Sequence, residues 1–277
     1  MNRHRVDICG LSETKRKGQG TIKYENYVLC YSGKPKHDRA HSGVGILLHE
    51  KCVDLIDTIE YVSDRILRVT LILPRGHLHL VSIYAPDMSK TREESDVFYR
   101  ELQNTIDKID NSGRIILFGD FNARIGSEEI DGVKQRFNES VLNENGDLLN
   151  DFCARNEMRI NNSYFPHRDQ HKYTFCNTRG QKSTIDYIIT NRSFTPDEIQ
   201  DVRVLTSANT GTYHNLVLGK FVLENHRKMK KRPIIVEKYN MESFDDDTTR
   251  NLYECRLNQK LQAEVTTGER GGYMEYY

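Results

Sequence analysis

The sequence predicts a β-rich α/β domain that extends from residue 6 to about residue 222. Short apolar runs recur there between turn signals, which is typical of strands in such a domain. Residues 91–110 differ, because their apolar residues follow helical spacing. No apolar stretch reaches the roughly eighteen residues that a membrane span needs. We therefore expect one domain over residues 1–223, followed by a linker or tail over residues 224–277.

The strands are expected between turn signals, in chain order. The strands 66–73 and 78–84 are expected to form a hairpin across Pro74 to His77. The predicted strands are residues 6–11, 43–48, 66–73, 78–84, 114–118, 158–161, 172–176, 184–190 and 216–223.

Two helices interrupt the strands. In the first, residues 91–110, Thr91 and Glu94 form a capping box, and Val97, Leu102 and Ile106 are expected on the buried face. The second covers residues 146–156. The tail is basic over 224–232 and acidic over 245–247, and a modest helix is expected from residue 243 to 262. A solvated linker is the favoured interpretation of the basic run, with a DNA contact as the alternative.

Composition excludes several classes of protein. Forty basic residues balance forty acidic ones, so any affinity for nucleic acid must come from local clusters. Six scattered cysteines form no Cys-x-x-Cys pair and have no histidine at zinc spacing, so they are expected to be reduced thiols of an intracellular protein. No signal-like segment follows residues 1–5. We expect a nuclear or cytoplasmic protein that is not secreted and has no membrane partner.

A carboxylate and an amide follow the apolar strand 114–118. Side chains two residues apart share a face of an extended chain, so Asp120 and Asn122 are expected to point together while Phe121 packs on the other side. An acid that holds or deprotonates water, beside an amide that aligns it, suits phosphate chemistry. The alternative is an Asx-type turn that ends the strand.

Four further polar residues are predicted at strand ends. Each has a structural alternative. These are a helix-entry charge for Glu13, a half-buried aromatic ring for Tyr84, a salt-bridged strand residue for Asp186 and a surface turn histidine for His214. Taken together with the Asp-x-Asn pair, they form a complete set for metal-dependent cleavage of a phosphodiester. These four residues are Glu13, Tyr84, Asp186 and His214.

This ordered set resembles the endonuclease/exonuclease/phosphatase superfamily, and within it the apurinic-type endonuclease domains of non-long-terminal-repeat retrotransposons. The resemblance implies a four-layered α/β sandwich of two packed mixed sheets, with the active site at their shared rim and DNA as the partner. It rests on the stretches at residues 11–14, 83–86, 119–123, 142–146, 171–175, 185–188 and 214–217.

The resemblance also implies a role for each residue of the set. Glu13 is expected to bind Mg²⁺, with Mn²⁺ as the alternative ion and no small-molecule cofactor. Asp120 would activate or orient the attacking water, and Asn122 would align it. Asp186 would hold His214 against the scissile phosphate.

The remaining member of the set, Tyr84, would donate a hydrogen bond to a phosphate oxygen as negative charge develops there.

The chain departs from the family pattern in two ways that predict impaired catalysis. Relatives have an earlier strand, with an asparagine in the metal site, and here the first predicted strand already leads into Glu13. Relatives also have Ser-Asp-His where this chain has Thr212-Tyr213-His214. We expect a Mg²⁺-dependent endonuclease from a retroelement reading frame. The alternatives are a catalytically inactive interaction module and, less favoured, a phosphatase of the same superfamily.

Overall fold

The computed structural model describes residues 6–39, 41–110, 112–206 and 211–223, together with residues 250–251 and 254–255. The chain divides into two compact units, Met1–Met229 and Lys230–Tyr277. Most of the charged tail and of its expected helix lies outside the described residues, although residues 250–251 and 254–255 are helical. Within the described part of the chain, no helix is both long and apolar enough to cross a bilayer.

Strands dominate the described residues. Short 3₁₀ turns cover Asn161–Tyr164, Asp169–His171 and Pro196–Glu198. The strands and α-helices, in chain order, are β1 (Ile8–Leu11), β2 (Gln19–Tyr24), β3 (Tyr27–Ser32), β4 (Val44–His49), α1 (Glu50–Val53), β5 (Ile56–Tyr61), β6 (Ile66–Leu73), β7 (Gly76–Tyr84), α2 (Arg92–Asp107), β8 (Arg114–Asp120), α3 (Glu144–Arg155), β9 (Met158–Ile160), β10 (Phe175–Cys176), β11 (Lys182–Ser183), β12 (Asp186–Asn191), β13 (Ile199–Leu205) and β14 (Leu216–Phe221).

Two sheets form the framework of the described fold. One has four antiparallel strands in the order β1-β4-β3-β2, and the other has six in the order β5-β6-β7-β8-β12-β9. In the second sheet only β7 and β8 run parallel. Since a parallel pair needs a crossover connection, α2 joins these two strands. Two further strand pairs, β13-β14 and β10-β11, complete the described sheets. The predicted α/β sandwich is confirmed.

Apolar side chains form two cores, one on each face of the six-stranded sheet. The inner core lies between the two sheets, where Ile46 and Leu48 of β4 pack against residues of β6 and β7, including Val69 and Leu80. The outer core lies between the six-stranded sheet and the helices α2 and α3, with Phe98 and Phe152 as large members. Both faces of the central strands are therefore buried, which fixes their register.

The helix α2 begins as the sequence predicts. Thr91 Oγ1 accepts the Glu94 N–H, and the Glu94 carboxylate accepts the Thr91 N–H. Leu102 and Ile106 are buried as predicted, whereas Val97 is 49% exposed. The buried face is centred on Phe98 and Leu102, so Val97 lies one position, or about 100°, away from it.

Several strands were not predicted from the sequence, and most of these have weak patterns. The hairpin of β2 and β3 turns at Glu25 and Asn26, and β2 has almost no buried residue. In the strands β5 and β13, two adjacent polar residues interrupt the alternation of polar and apolar residues that indicates a strand. In the opposite direction, the predicted strand 172–176 shortens to β10, because a 3₁₀ turn occupies residues 169–171.

Gly119 permits the close contact between β7 and β8 just before Asp120. Its φ is +142°, and a Cβ atom at this position would lie 2.0 Å from the carbonyl oxygen of Ile83 on the neighbouring strand. Any side chain here would force the two strands apart.

We expect Gly119→Ala to destabilise the fold by more than about 3 kcal/mol, because it adds a backbone clash to the strain of a positive φ. The matched control is Gly76→Ala, since Gly76 has φ +109° but open space around the added Cβ. That variant should lose only about 1 kcal/mol. Urea unfolding measures both, and equal losses would contradict the close-contact explanation.

Candidate active site

Three of the predicted site residues lie in one row across the six-stranded sheet. Tyr84 of β7 pairs with Asp120 of β8, and Asp120 pairs with Asp186 of β12. Directly paired residues have Cβ atoms about 5 Å apart on the same face. The register alone therefore brings a phenol and two carboxylates together at one end of the sheet.

Glu13 reaches this row from the four-stranded sheet. The strand that precedes it, β1, packs closely over β8, because Gly10 leaves room for the ring of Phe118. The Tyr84 hydroxyl then donates to Glu13 Oε1 at 2.8 Å. Glu13 also has a positive φ of 50°, which is uncommon for a residue with a side chain and frequent at functional sites. The phenol thus holds this exposed carboxylate beside the row.

His214 closes the site from the segment that precedes β14. Its backbone pairs with Phe175, and the two rings pack edge to face with centroids 5.0 Å apart. The imidazole Nδ1 lies 3.0 and 3.2 Å from the two carboxylate oxygens of Asp186. Its Nε2 lies 4.0 Å from Asp120 Oδ2. Asp186 thus orients the ring so that Nε2 faces Asp120.

Asn122 lies beyond the end of β8 and has a φ of 50°. Its backbone N–H donates to Asp120 Oδ1 at 2.9 Å, so the Asx-type turn that the sequence left as an alternative is present. Its side-chain Nδ2 donates to the carbonyl of Ala85 at 2.9 Å. The expectation that an extended chain aims both side chains to one side is wrong here, because the chain turns directly after Asp120. Phe121 is buried in the outer core, as predicted.

The geometry permits a metal ion at one part of the site. One ligand atom each from Asp120, Asp186 and His214 lies within 4.8 Å of the others. Glu13 is not a member of that trio, although its negative charge acts on both Asp120 and His214. Carboxylate oxygens are suitable ligands for a hard divalent cation, whereas a protonated imidazole has no free nitrogen to bind one. The two aspartates of the trio therefore fit a metal ion, with His214 as a neighbouring hydrogen-bond donor.

The crowding of carboxylates changes the proton affinity of the site. Burial, followed by the nearby charge of Asp186, raises the pKa of Asp120 well above its usual range. Burial lowers the pKa of His214, but the hydrogen bond and charge of Asp186 outweigh it and raise this pKa to about 9. Burial and the hydrogen bond to Glu13 raise the pKa of Tyr84. The histidine is therefore a cation near neutral pH, and the phenol stays protonated.

Three residues that the sequence analysis did not single out support the site. The buried Thr174 Oγ1 accepts the backbone N–H groups of Ile185 and Asp186. The buried Asn145 Nδ2 donates to the carbonyl of Asn122. Arg65 lies over the Tyr84 ring, with its guanidinium carbon 5.0 Å from the ring centroid.

Asn145 and Thr174 lie in two of the stretches on which the family resemblance rests, 142–146 and 171–175. The sequence therefore indicated these stretches but not the roles of the two residues. The position of Arg65 in the sequence gives no comparable signal.

Comparison with known proteins shows the family and the fold of this chain. Residues 1–214 match the Endonuclease/Exonuclease/phosphatase family. Craniofacial development protein 2 from Bos taurus is 28% identical over 267 residues, which are 96% of this chain and 44% of that protein. The chain thus spans less than half the length of this curated relative.

Solved structures show the same fold. The Xenopus laevis APE2 catalytic domain superposes with a TM-score of 0.58 at 16% identity, over 81% of this chain and 87% of that one. The endonuclease domain of TRAS1, a telomere-specific non-LTR retrotransposon, gives 0.56 at 18% identity, over 81% of this chain and 90% of that one.

We expect His214 to titrate near pH 9 in the metal-free protein, and Asp186→Asn to return its pKa to the ordinary 6.5 or below. Imidazole NMR signals followed against pH measure this directly. Asp201→Asn is the control, because Asp201 contacts a different histidine, His167, at 2.7 Å. A His214 pKa of 6.5 beside an intact Asp186 would contradict the assigned pairing.

The same pair makes stability depend on pH. Because folding raises the pKa of His214, its contribution is fully present below about pH 6.5 and is lost as the pH rises through about 9. Asp186→Asn should therefore lower the free energy of unfolding more at pH 6 than at pH 10.

Proposed function

We propose that this chain, which belongs to the endonuclease/exonuclease/phosphatase family, is a Mg²⁺-dependent endonuclease that hydrolyses phosphodiester bonds in DNA, by nicking or at apurinic sites. Hydrolysis adds water to the phosphorus and breaks its bond to the 3′ oxygen, which leaves a 3′-hydroxyl. The observation that carries the proposal is the cluster of Asp120, Asp186 and His214 within 4.8 Å. Descent from a retrotransposon reading frame and a nuclear or cytoplasmic location are part of the same proposal.

The carboxylates have the first role in this mechanism. Glu13 and the carboxyl cluster would hold the ion, with Mn²⁺ as the alternative to Mg²⁺. A bound Mg²⁺ supplies positive charge that neutralises phosphate oxygens and favours ionised Asp120. In its ionised form Asp120 accepts a proton from the attacking water through Oδ2, since Oδ1 is engaged by the Asn122 N–H. The alignment of that water by Asn122 stays a prediction, because its side-chain Nδ2 donates to the Ala85 carbonyl.

The cationic His214 has the second role. Asp186 fixes the ring through Nδ1, so Nε2–H is directed to the region where Asp120 lies and where a phosphate oxygen would bind. This contact is stronger in the transition state, when the phosphate oxygens gain negative charge. Tyr84 positions Glu13 with its hydroxyl group, and its expected bond to a phosphate oxygen stays a prediction.

The distribution of charge supports a polyanionic substrate. The loops 14–18 and 33–43, next to Glu13, are joined by backbone hydrogen bonds such as Gly18 N–H to Lys34 O at 2.7 Å. They carry one acidic residue, Asp38, against six basic residues, which are Lys15, Arg16, Lys17, Lys34, Lys36 and Arg39. Such clusters bind the phosphates of nucleic acids.

A second basic segment, 168–182, packs beside His214 and has four basic residues and one acidic residue. In contrast, α2 has five acidic residues and two basic ones.

One observation favours a second candidate, a catalytically inactive interaction module. Tyr213 occupies the position where the family pattern has an aspartate, and its side chain is 58% exposed. Its ring contacts Phe175 at a centroid distance of 6.3 Å. A phenol supplies no carboxylate near neutral pH. The module would bind nucleic acid through the same basic loops without cleaving it.

We expect purified full chain to nick supercoiled plasmid with Mg²⁺. We expect EDTA or Asp120→Ala to abolish nicking, because EDTA removes the metal ion and Asp120→Ala removes the group that accepts the proton from water. Asp197→Ala, which changes an exposed aspartate far along the chain, is the matched control and should retain full activity. Binding without Mg²⁺-dependent nicking would support the inactive module. Phosphate release without nicking would instead indicate a phosphatase.

We expect Lys17→Glu with Lys36→Glu to raise the Kd for duplex DNA by about tenfold or more, and to lower the salt slope of log K by about 2. Arg100→Glu with Lys108→Glu makes the same charge change at α2 and at its C-cap, and should alter Kd by less than about threefold. Fluorescence anisotropy at several salt concentrations distinguishes the two pairs. Equal losses would show that only net charge matters.

A further inference from the structure

We propose that Glu139 is a positioning residue of the active site, which joins the chain that follows Asp120 to the chain that precedes Asp186. The inference rests on the proposed function, since those two aspartates form the proposed site. Glu139 was not part of the predicted set. Its side chain is only 4% exposed, so its carboxylate needs partners within the protein.

The partners of Glu139 come from both sides of the site. Its Oε1 accepts the backbone N–H of Thr184 at 2.7 Å. Its Oε2 accepts Arg124 Nε at 3.0 Å and a second, shorter bond from Nη2 of the same guanidinium. Arg124 lies two residues after Asn122, and Thr184 lies two residues before Asp186. One buried carboxylate therefore spans the two segments that present the site.

This bridge acts where the sheet no longer fixes the chain. The ladder between β8 and β12 ends at the pair of Asp120 and Asp186. Beyond it, one backbone bond remains between the segments, from Phe121 N–H to the Ile185 carbonyl at 2.9 Å. The separation of the two aspartates thus depends on side chains that lie just outside the ladder.

A second side chain makes the same connection. The buried Tyr187 hydroxyl lies 2.9 Å from the carbonyl of Ala123 and 2.6 Å from the carbonyl of Thr184. Arg124 is held from its other end as well, because its backbone N–H donates to Asn143 Oδ1 at 2.9 Å. Among Glu139, Arg124, Tyr187 and Asn143, only Glu139 is negatively charged. Glu139→Gln therefore removes this negative charge and keeps the shape of the side chain.

Another ion pair with low exposure provides a matched control for a purely structural role. Arg114 Nη2 lies 2.7 Å from Glu198 Oε1, with side chains 9% and 16% exposed. Arg114 begins β8, whereas Asp120 ends it. Breaking this pair removes a comparable interaction from the same strand, but at the end that is remote from the site.

The experiment compares Glu139→Gln and Glu139→Ala with Glu198→Gln and Glu198→Ala in the full chain. We expect kcat for plasmid nicking to fall about tenfold in Glu139→Gln and about 100-fold in Glu139→Ala, since a 1 Å misplacement of reacting groups costs that much. KM should stay within about twofold, because the basic loops are unchanged. The Glu198 variants should lose thermal stability yet keep kcat within about twofold. Loss of kcat in proportion to stability in both pairs would overturn the proposal.

Amide hydrogen exchange supplies a readout that needs no activity. Glu139→Ala should increase exchange at residues 121–125 and 183–187, and Glu198→Ala should leave both segments protected. If the wild-type chain cleaves no DNA, the proposed function fails, while increased exchange in both segments of the Glu139 variant would still support the bridge. Unchanged exchange there would overturn the bridge whether or not the chain is a nuclease.

Discussion

The register of the three central strands is the constraint on which the site depends. Because Tyr84, Asp120 and Asp186 are paired across β7, β8 and β12, a shift of one residue in any of these strands would move its side chain to the opposite face. The two apolar cores prevent such a shift, since both faces of these strands are buried. Hydrophobic packing therefore also fixes the geometry of the active site. Gly119, just before Asp120, allows β7 and β8 to come close enough.

The carboxylates of the site reduce the stability of the fold through electrostatic repulsion. Two carboxylates held at neighbouring positions with little solvent repel each other, and the pKa of Asp120 is raised by its burial first and by this repulsion second. The cationic ring of His214 offsets part of it, and a divalent ion would offset more. A neutral side chain in place of the Asp120 carboxylate would remove this repulsion. The retained cost is consistent with a site that is arranged for a cation and an anionic substrate.

Much of this was predictable from sequence, and the failures have physical reasons. The strands at residues 66–73 and 114–118 were predicted correctly, because burial on both faces of a strand leaves a mostly apolar run in the sequence. The exposed β2 left no such pattern. The set of polar strand ends was visible as ordered motifs, but the turn at Asn122 was not, because a positive φ in a residue other than glycine depends on tertiary contacts. Glu139 lacked any local signal, since its partners are distant in sequence.

Basic and acidic residues are distributed unevenly over the structure, although the chain has no formal net charge. The lysine-rich loops lie beside one end of the central strands, whereas the acidic α2 covers the outer face of the six-stranded sheet. Opposite charges separated in this way form an electric dipole, even though the chain has a formal net charge of +0 and an isoelectric point near 7.1. Near that pH, in dilute buffer, the basic region of one molecule attracts the acidic region of another. From this asymmetry we expect weak self-association that is reversed by added salt.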